Sequence, residues 1–232
     1  MKISSKFRRF IRRLVRNSGF IRRIAPDFVD VMKHYNIDVV LDIGANDGDY
    51  GREIRDRGYK GLIVSFEPNP KVFKRLEDSI KSDPNWIAYQ LAFGDVDSEL
   101  ELLIPENDTM SSFKKFTNLG LDKSAKGLST AIVKVVTLET FLNKHPEFLK
   151  NVYLKMDTQG YEMEILLGAQ KILHKISAIQ AEVALIHTYK DEVDWLDFIS
   201  WLRSKKFELA TAVCNSAIGP KVREFDFVFV KK

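Results

Sequence analysis

The stretch VVLDIGANDGDYG, residues 39–51, sets Gly44, Gly48 and Gly51 and the carboxylates of Asp42, Asp47 and Asp49 directly behind and within an apolar run. A glycine-rich turn after a strand ordinarily cradles phosphate, because glycine lets backbone amides come close to a ligand. This turn fits neither phosphate pattern. The dinucleotide fingerprint G-x-G-x-x-G, counted from Gly44, needs glycine where this chain carries Asn46 and Asp49. A G-x-x-x-x-G-K-[ST] loop fails as well, since no lysine follows.

Charge points the same way. A pyrophosphate would meet three carboxylates here, whereas a ligand with a cationic part is favoured. S-adenosylmethionine carries a sulfonium and an ammonium and no phosphate, so it is the cofactor these residues imply. Glu67, 25 residues beyond Asp42 and at the end of the next apolar run, adds an acid that can accept from both ribose hydroxyls. The blander reading is a solvated turn and a surface glutamate. Strand, turn and acid at this spacing favour the nucleoside.

These residues need a scaffold, and apolar runs alternate with helical patterns along the chain. Strands are expected at 38–43, 61–68, 86–93, 131–136, 152–157 and 178–185, with a short one in 94–105. Helices are expected from Pro26 to Tyr35, over 50–57, from Asn69-Pro70 to Ile80, in the short segment before Leu142, over 163–175 and over 194–206. Residues 105–130 are polar and read as a long loop or lid. KFELATAV and REFDFVFV read as a closing hairpin. Such alternation implies an α/β fold with a doubly wound, mostly parallel sheet. Ligands then bind beyond the carboxyl ends of the strands.

The 232 residues fit one large domain, 27–232, preceded by an arm, 1–26. The arm holds Lys2, Lys6, Arg8, Arg9, Arg12, Arg13, Arg16, Arg22 and Arg23 and no acid. The net charge of +4 therefore hides a body in which 27 basic residues face 32 acids, a balance of −5. Phe7, Phe10, Ile11, Leu14 and Val15 form one face of an amphipathic helix, and the arginines take the other. Four readings stand: a helix docked on the domain, a helix on an anionic membrane surface, a transit peptide, or a nucleic-acid contact. Nucleic acid is disfavoured by the lack of aromatic residues interleaved for base stacking. The arm lacks the roughly 18 or more consecutive apolar residues that a transmembrane span needs. One cysteine, Cys214, and scattered histidines disfavour a disulfide or a structural zinc site and suggest a reducing compartment. The expected location is cytoplasmic, peripheral at the membrane if the arm binds it. Oligomeric state is open.

The segments LDIGANDG, SFEPNP, LAFGD, SSF, LKMDTQGYEMEILLGA and AEVAL, in this order over residues 38–185, resemble the FkbM-type family of S-adenosylmethionine-dependent methyltransferases. The resemblance implies a Rossmann-like class I methyltransferase fold of about seven strands with an antiparallel C-terminal hairpin. It implies methyl transfer to oxygen, often a hydroxyl of a sugar or other small molecule, as in polysaccharide biosynthesis. Carried over by position, Asp42, Gly44, Asn46 and Gly48 match the cofactor turn and Glu67 the ribose acid. Ala92, Gly94 and Asp95 match the segment near adenine, Met110, Ser111 and Ser112 a loop near the cofactor, and Asp157, Gly160, Tyr161 and Glu162 the motif after a central strand. Many members have Val-Glu where this chain has Thr158-Gln159. Gln159 does not ionise, which puts in doubt any acid or metal role at that position.

A neutral hydroxyl is a poor nucleophile, and a base in hydrogen-bond reach contributes roughly 10²–10⁴-fold. Asp157 is the first candidate, ending a central strand beside the methyl site. His187 follows the next strand at the same rim, and histidine is a side chain commonly used as a general base. Glu182 is placed to orient a substrate hydroxyl. Each has a plainer reading: a structural carboxylate, a loop histidine, a buried paired acid. Three rival functions are an RNA or protein methyltransferase gripping its substrate with the arm, a non-catalytic binding domain of the same fold, and a nucleotide-dependent oxidoreductase, which the failed dinucleotide fingerprint disfavours.

Overall fold

The first strand, β1 (Val39–Ile43), is buried along its whole length. It can be so because both neighbours are parallel strands and helices cover both faces. The computed structural model describes residues 26–117 and 127–232, so the basic helix expected over residues 7–16 lies outside the described residues. The chain runs α1 (Phe28–His34), β1, α2 (Asp49–Asp56), β2 (Leu62–Phe66), α3 (Pro70–Ile80), β3 (Trp86–Tyr89), β4 (Ala92–Phe93), β5 (Ser98–Ile104), β6 (Ser129–Val136), α4 (Leu138–Lys144), β7 (Val152–Met156), α5 (Glu162–Leu167), β8 (Ile176–Ala184), α6 (Trp195–Ser204), β9 (Phe207–Ile218) and β10 (Lys221–Lys231).

Seven strands form the main sheet in the order β3-β2-β1-β7-β8-β10-β9. All pairs are parallel except those made by β10, which runs antiparallel to β8 and β9. The order reverses between β1 and β7, and a crevice opens there at the strands' carboxyl ends. One face of the sheet packs Val29, Ile54 and Leu76 of α1, α2 and α3 against Val40, Ile63 and Tyr153. The other packs Phe141, Ile165 and Phe198 of α4, α5 and α6 against Leu41, Phe66 and Leu154. Helix starts follow the local sequence. Asp27 caps α1 and Asn69 caps α3, with Pro70 in its first turn, where a missing amide proton costs nothing.

Three features depart from the expected elements. WIAYQLAF is not one strand: β3 ends at Tyr89, and Ala92–Phe93 leaves the main sheet to pair with Val135–Val136. With β5 and β6 this builds a second, three-stranded sheet, β4-β6-β5. The helix expected over 163–175 stops at Leu167. There Gly168 packs backbone to backbone, since a Cβ on it would stand 2.0 Å from the Gly94 carbonyl oxygen. The closing hairpin is longer than its apolar cores, turning at Gly219-Pro220.

Candidate functional site

At the crevice, β1 gives way to a turn that glycine makes possible. Gly44 has φ +73° and its amide, with that of Ala45, donates to the Phe66 carbonyl at 3.0 Å. A Cβ on Gly44 would sit 1.9 Å from the Asp157 carbonyl oxygen, so the β1 and β7 termini touch only because this residue has no side chain. Asn46 and Gly48 also lie in the left-handed region. Asparagine tolerates it because its short side chain bonds locally, here accepting from the Asp47 amide at 2.8 Å.

The Asn46 amide donates to Glu67 Oε2 at 3.0 Å, and the Asn69 amide to Oε1 at 2.8 Å. Glu67 thereby joins the end of β2 to the turn after β1. Each oxygen retains acceptor capacity. Burial pushes the carboxyl up to about 7, against the lowering effect of the two amides.

Glu67 lines a cavity of about 370 Å³. Its apolar lining includes Ala92 and Phe93 of β4, with Leu91 just before that strand, Leu102 of β5 and Phe113 from the segment after β5. Gly44, Asn46, Asp157, Thr158 and Gln159 line it as well. Ser112 lines it too, and its hydroxyl donates to the Gln159 carbonyl at 2.7 Å. An acid with spare lone pairs, an apolar lining and a glycine-made backbone approach are what a ribose, an adenine and a short charged tail require. The residues present fit S-adenosylmethionine.

Asp42 is fully buried beneath the cavity rather than on its wall. Ser65 Oγ donates to its Oδ2 at 3.1 Å, and Lys155 Nζ stands 3.0 Å from its Oδ1. Asp47 and Asp49 share Arg52, at 2.8 and 2.5 Å. The turn is therefore less negative than its composition implies: two cations of this chain, Lys155 and Arg52, serve its three carboxylates. Gly48 and Asp95 do not line the cavity, and Asp95 lies exposed after β4.

Among the base candidates, Asp157 lies on the cavity wall with its side chain 41% exposed. Its Oδ2 is 3.7 Å from Lys155 Nζ, and its Oδ1 accepts from Gln159 Nε2 at 2.9 Å. Glu182 accepts from Gln159 Nε2 at 3.1 Å and from Asn215 Nδ2 at 3.1 Å. Burial first, then the charges of Asp157, Glu224 and Asp226, push its carboxyl far above the ordinary range, so it holds its proton at neutral pH. His187 is on the loop after β8, where its carbonyl accepts from Thr117 Oγ1 at 3.2 Å; it does not line the cavity. Glu162 accepts from the amide and hydroxyl of Thr158, at 2.7 and 2.9 Å, fixing the turn that carries Asp157.

Lys155 is the site residue that pattern reading missed. Burial works against its charge, but Asp42 first and Asp157 next outweigh it and hold the lysine above its ordinary value. The signal was present: a lysine, the one charged residue of VYLKM, inside a strand buried along its whole length.

The methyltransferase FkbM domain model matches residues 42–209. Among solved structures, an uncharacterized protein from Listeria monocytogenes serotype 4b aligns with TM-score 0.50 at 8% identity, over 89% of this chain and 68% of that one. TrmK of M. capricolum, in complex with S-adenosyl-homocysteine, aligns with TM-score 0.49 at 11% identity, over 89% and 69%. Magnesium protoporphyrin IX methyltransferase from Synechocystis PCC 6803, with bound S-adenosylmethionine, aligns with TM-score 0.47 at 9% identity, over 100% of both chains. No curated protein sequence matches. The seven-stranded sheet, its antiparallel hairpin and the cavity at its switch point define a class I S-adenosylmethionine-dependent methyltransferase. The family match over most of the chain is specific: the protein belongs to the methyltransferase FkbM family.

Proposed function

We propose that this methyltransferase acts on a hydroxyl oxygen of a sugar, glycan or other small molecule, with Asp157 as the base. The observation that carries this reading is the half-exposed carboxylate of Asp157 on the cavity wall, between Lys155 and Gln159. S-adenosylmethionine, when bound, supplies an electrophilic methyl group on its sulfonium.

The chain's residues do the rest. Gly44 and Asn46 give backbone approach to the cofactor's charged tail. Glu67 would accept from the ribose hydroxyls, and Ala92 with Leu91 and Phe93 would wall the adenine. Ser112 closes the cavity from the segment after β5. Asp42 acts from below, by holding Lys155 under the turn. Asp157 is placed to accept the proton of the acceptor hydroxyl. Lys155 keeps negative charge on Asp157 favourable until that proton arrives. Protonated Glu182 cannot compete as a base and is suited to donating or orienting, and His187, off the wall, is the reserve candidate. Holding nucleophile and methyl in line is worth several orders of magnitude in rate.

The proposal includes location. Residues 7–16 dock the enzyme on an anionic membrane surface at the cytoplasmic side, supported by the pairing of an apolar stripe with five arginines and no acid.

The test is a methyl-transfer screen of the full chain with isotope-labelled S-adenosylmethionine against nucleotide sugars, glycans, RNA and protein, read by mass. Label on a sugar or other small-molecule oxygen supports the reading; label confined to nitrogen, RNA or protein overturns it.

A further inference from the structure

Gln159 does more than fill the second position after Asp157. Its Nε2 donates to Asp157 Oδ1 at 2.9 Å and to Glu182 Oε2 at 3.1 Å, so one amide group spans both acids. Its Oε1 accepts from the Tyr189 hydroxyl at 2.9 Å, and Tyr189 also reaches the Met110 carbonyl at 3.1 Å. Its backbone carbonyl accepts from Ser112 Oγ. Two carboxyl groups and one phenol leave the amide a single sensible orientation, nitrogen toward the acids. The backbone is unusual as well: Gln159 has φ +57°, a region that glutamine rarely enters. Strained backbone of this kind persists where the surroundings impose it and concentrates at functional sites.

We propose that Gln159 is the positioning residue of the transfer site: its amide holds Asp157 to Glu182 on one side and to the segment that walls the cofactor cavity on the other. Without it the proton between the two acids is the one Glu182 carries, and the Asp157 carboxylate is held on the cavity wall by the longer Lys155 contact, 3.7 Å. A glutamate at this position would put a third carboxyl against the first two, so the neutral amide is the group the geometry needs. This inference rests on the reading of Asp157 as the base.

The test uses Gln159→Gly, which relaxes the left-handed backbone while deleting the amide, and Gln159→Met, which keeps the length without hydrogen bonds. Both variants should bind S-adenosylmethionine within threefold of the wild type by calorimetry, and Gln159→Gly should melt no lower. Single-turnover methyl transfer to the screened nucleotide-sugar and glycan pool should fall at least tenfold in both. The double variant Asp157→Asn with Gln159→Gly should lose no more than Asp157→Asn alone, because the two act as a unit. A lowered melting point with an unchanged rate, or cofactor affinity falling in step with the rate, overturns the positioning role. An unaffected Asp157→Asn would sink the base assignment instead, which separates the two failures. A second readout needs no acceptor. The side-chain amide signals of Gln159 in a 15N-labelled protein should move on the alkaline side, as Glu182 loses its proton, and should stop moving there in Glu182→Gln. Signals that ignore Glu182 overturn the bridge.

Discussion

Lys155 Nζ lies 3.0 Å from Asp42 Oδ1, on side chains 7% and 0% exposed, across the register pair that joins β7 to β1. This buried ion pair underlies the whole site: the same ammonium reaches the Gly44 carbonyl at 3.3 Å and faces Asp157. Breaking a buried pair by removing one partner typically costs about 3–5 kcal/mol, since the other charge is stranded. Lys155→Met should lose about that much in chemical denaturation. Adding Asp42→Asn to it should recover part of the loss, and a single variant as stable as the wild type would dismiss the pair as a determinant.

Glu67→Ala should weaken S-adenosylmethionine binding by about 1–3 kcal/mol in calorimetry, because ribose hydroxyls lose a charged acceptor. The pH dependence has a definite sign. Burial raises the Glu67 carboxyl to about 7, so the apo protein gains its ribose-accepting charge only as pH climbs through that value. Affinity should therefore rise from pH 6 to 8. The Glu67 contribution to fold stability runs the other way, being greatest at low pH and falling as pH rises from the unfolded carboxyl value towards 7. Glu67→Gln should flatten the Glu67 part of both profiles; an unchanged affinity profile in that variant removes the ribose assignment.

Asp157→Asn preserves size and some hydrogen bonding but deletes the charge. Turnover should drop by 10²-fold or more, on the order expected for a lost general base, while cofactor affinity changes by only a few fold. Parallel losses in kcat and in cofactor affinity would instead make Asp157 a cofactor ligand.

Gly44→Ala places a Cβ 1.9 Å from the Asp157 carbonyl oxygen in a backbone with φ +73°. The β1 and β7 ends must part. The expected outcome is a fold weakened by about 1–3 kcal/mol with S-adenosylmethionine binding lost by calorimetry. Binding within threefold of the wild type would show that the close approach is dispensable.

Full-length protein should float with anionic vesicles, less at high salt, and protein starting at Asp27 should not. Near an anionic leaflet each basic residue contributes about 1 kcal/mol, enough with burial of Phe7, Phe10 and Leu14 for reversible binding. Equal flotation of both forms removes the arm as an anchor; unfolding of the shortened form shows that its apolar stripe belongs to the core.

What the sequence determined by itself was local. The failed phosphate fingerprint, the turn glycines, the strand-ending acid at Glu67 and the helix caps at Asp27 and Asn69 are written in neighbouring residues, because turn chemistry and apolar period act over a few positions. Even the Arg52 partner of Asp49 sat three residues away, a legible pair. Tertiary structure alone decided which distant groups became neighbours. Lys155 meets Asp42, 113 positions earlier, and Gln159 meets Glu182, Tyr189 and Ser112, because strand order sets β7 between β1 and β8. The same order set a lysine under an apparently acidic loop, and tertiary pairing moved Ala92–Phe93 into a second sheet. Side-by-side pairing in a parallel sheet is set by the crossovers and the packing of both faces, and no local pattern carries that information.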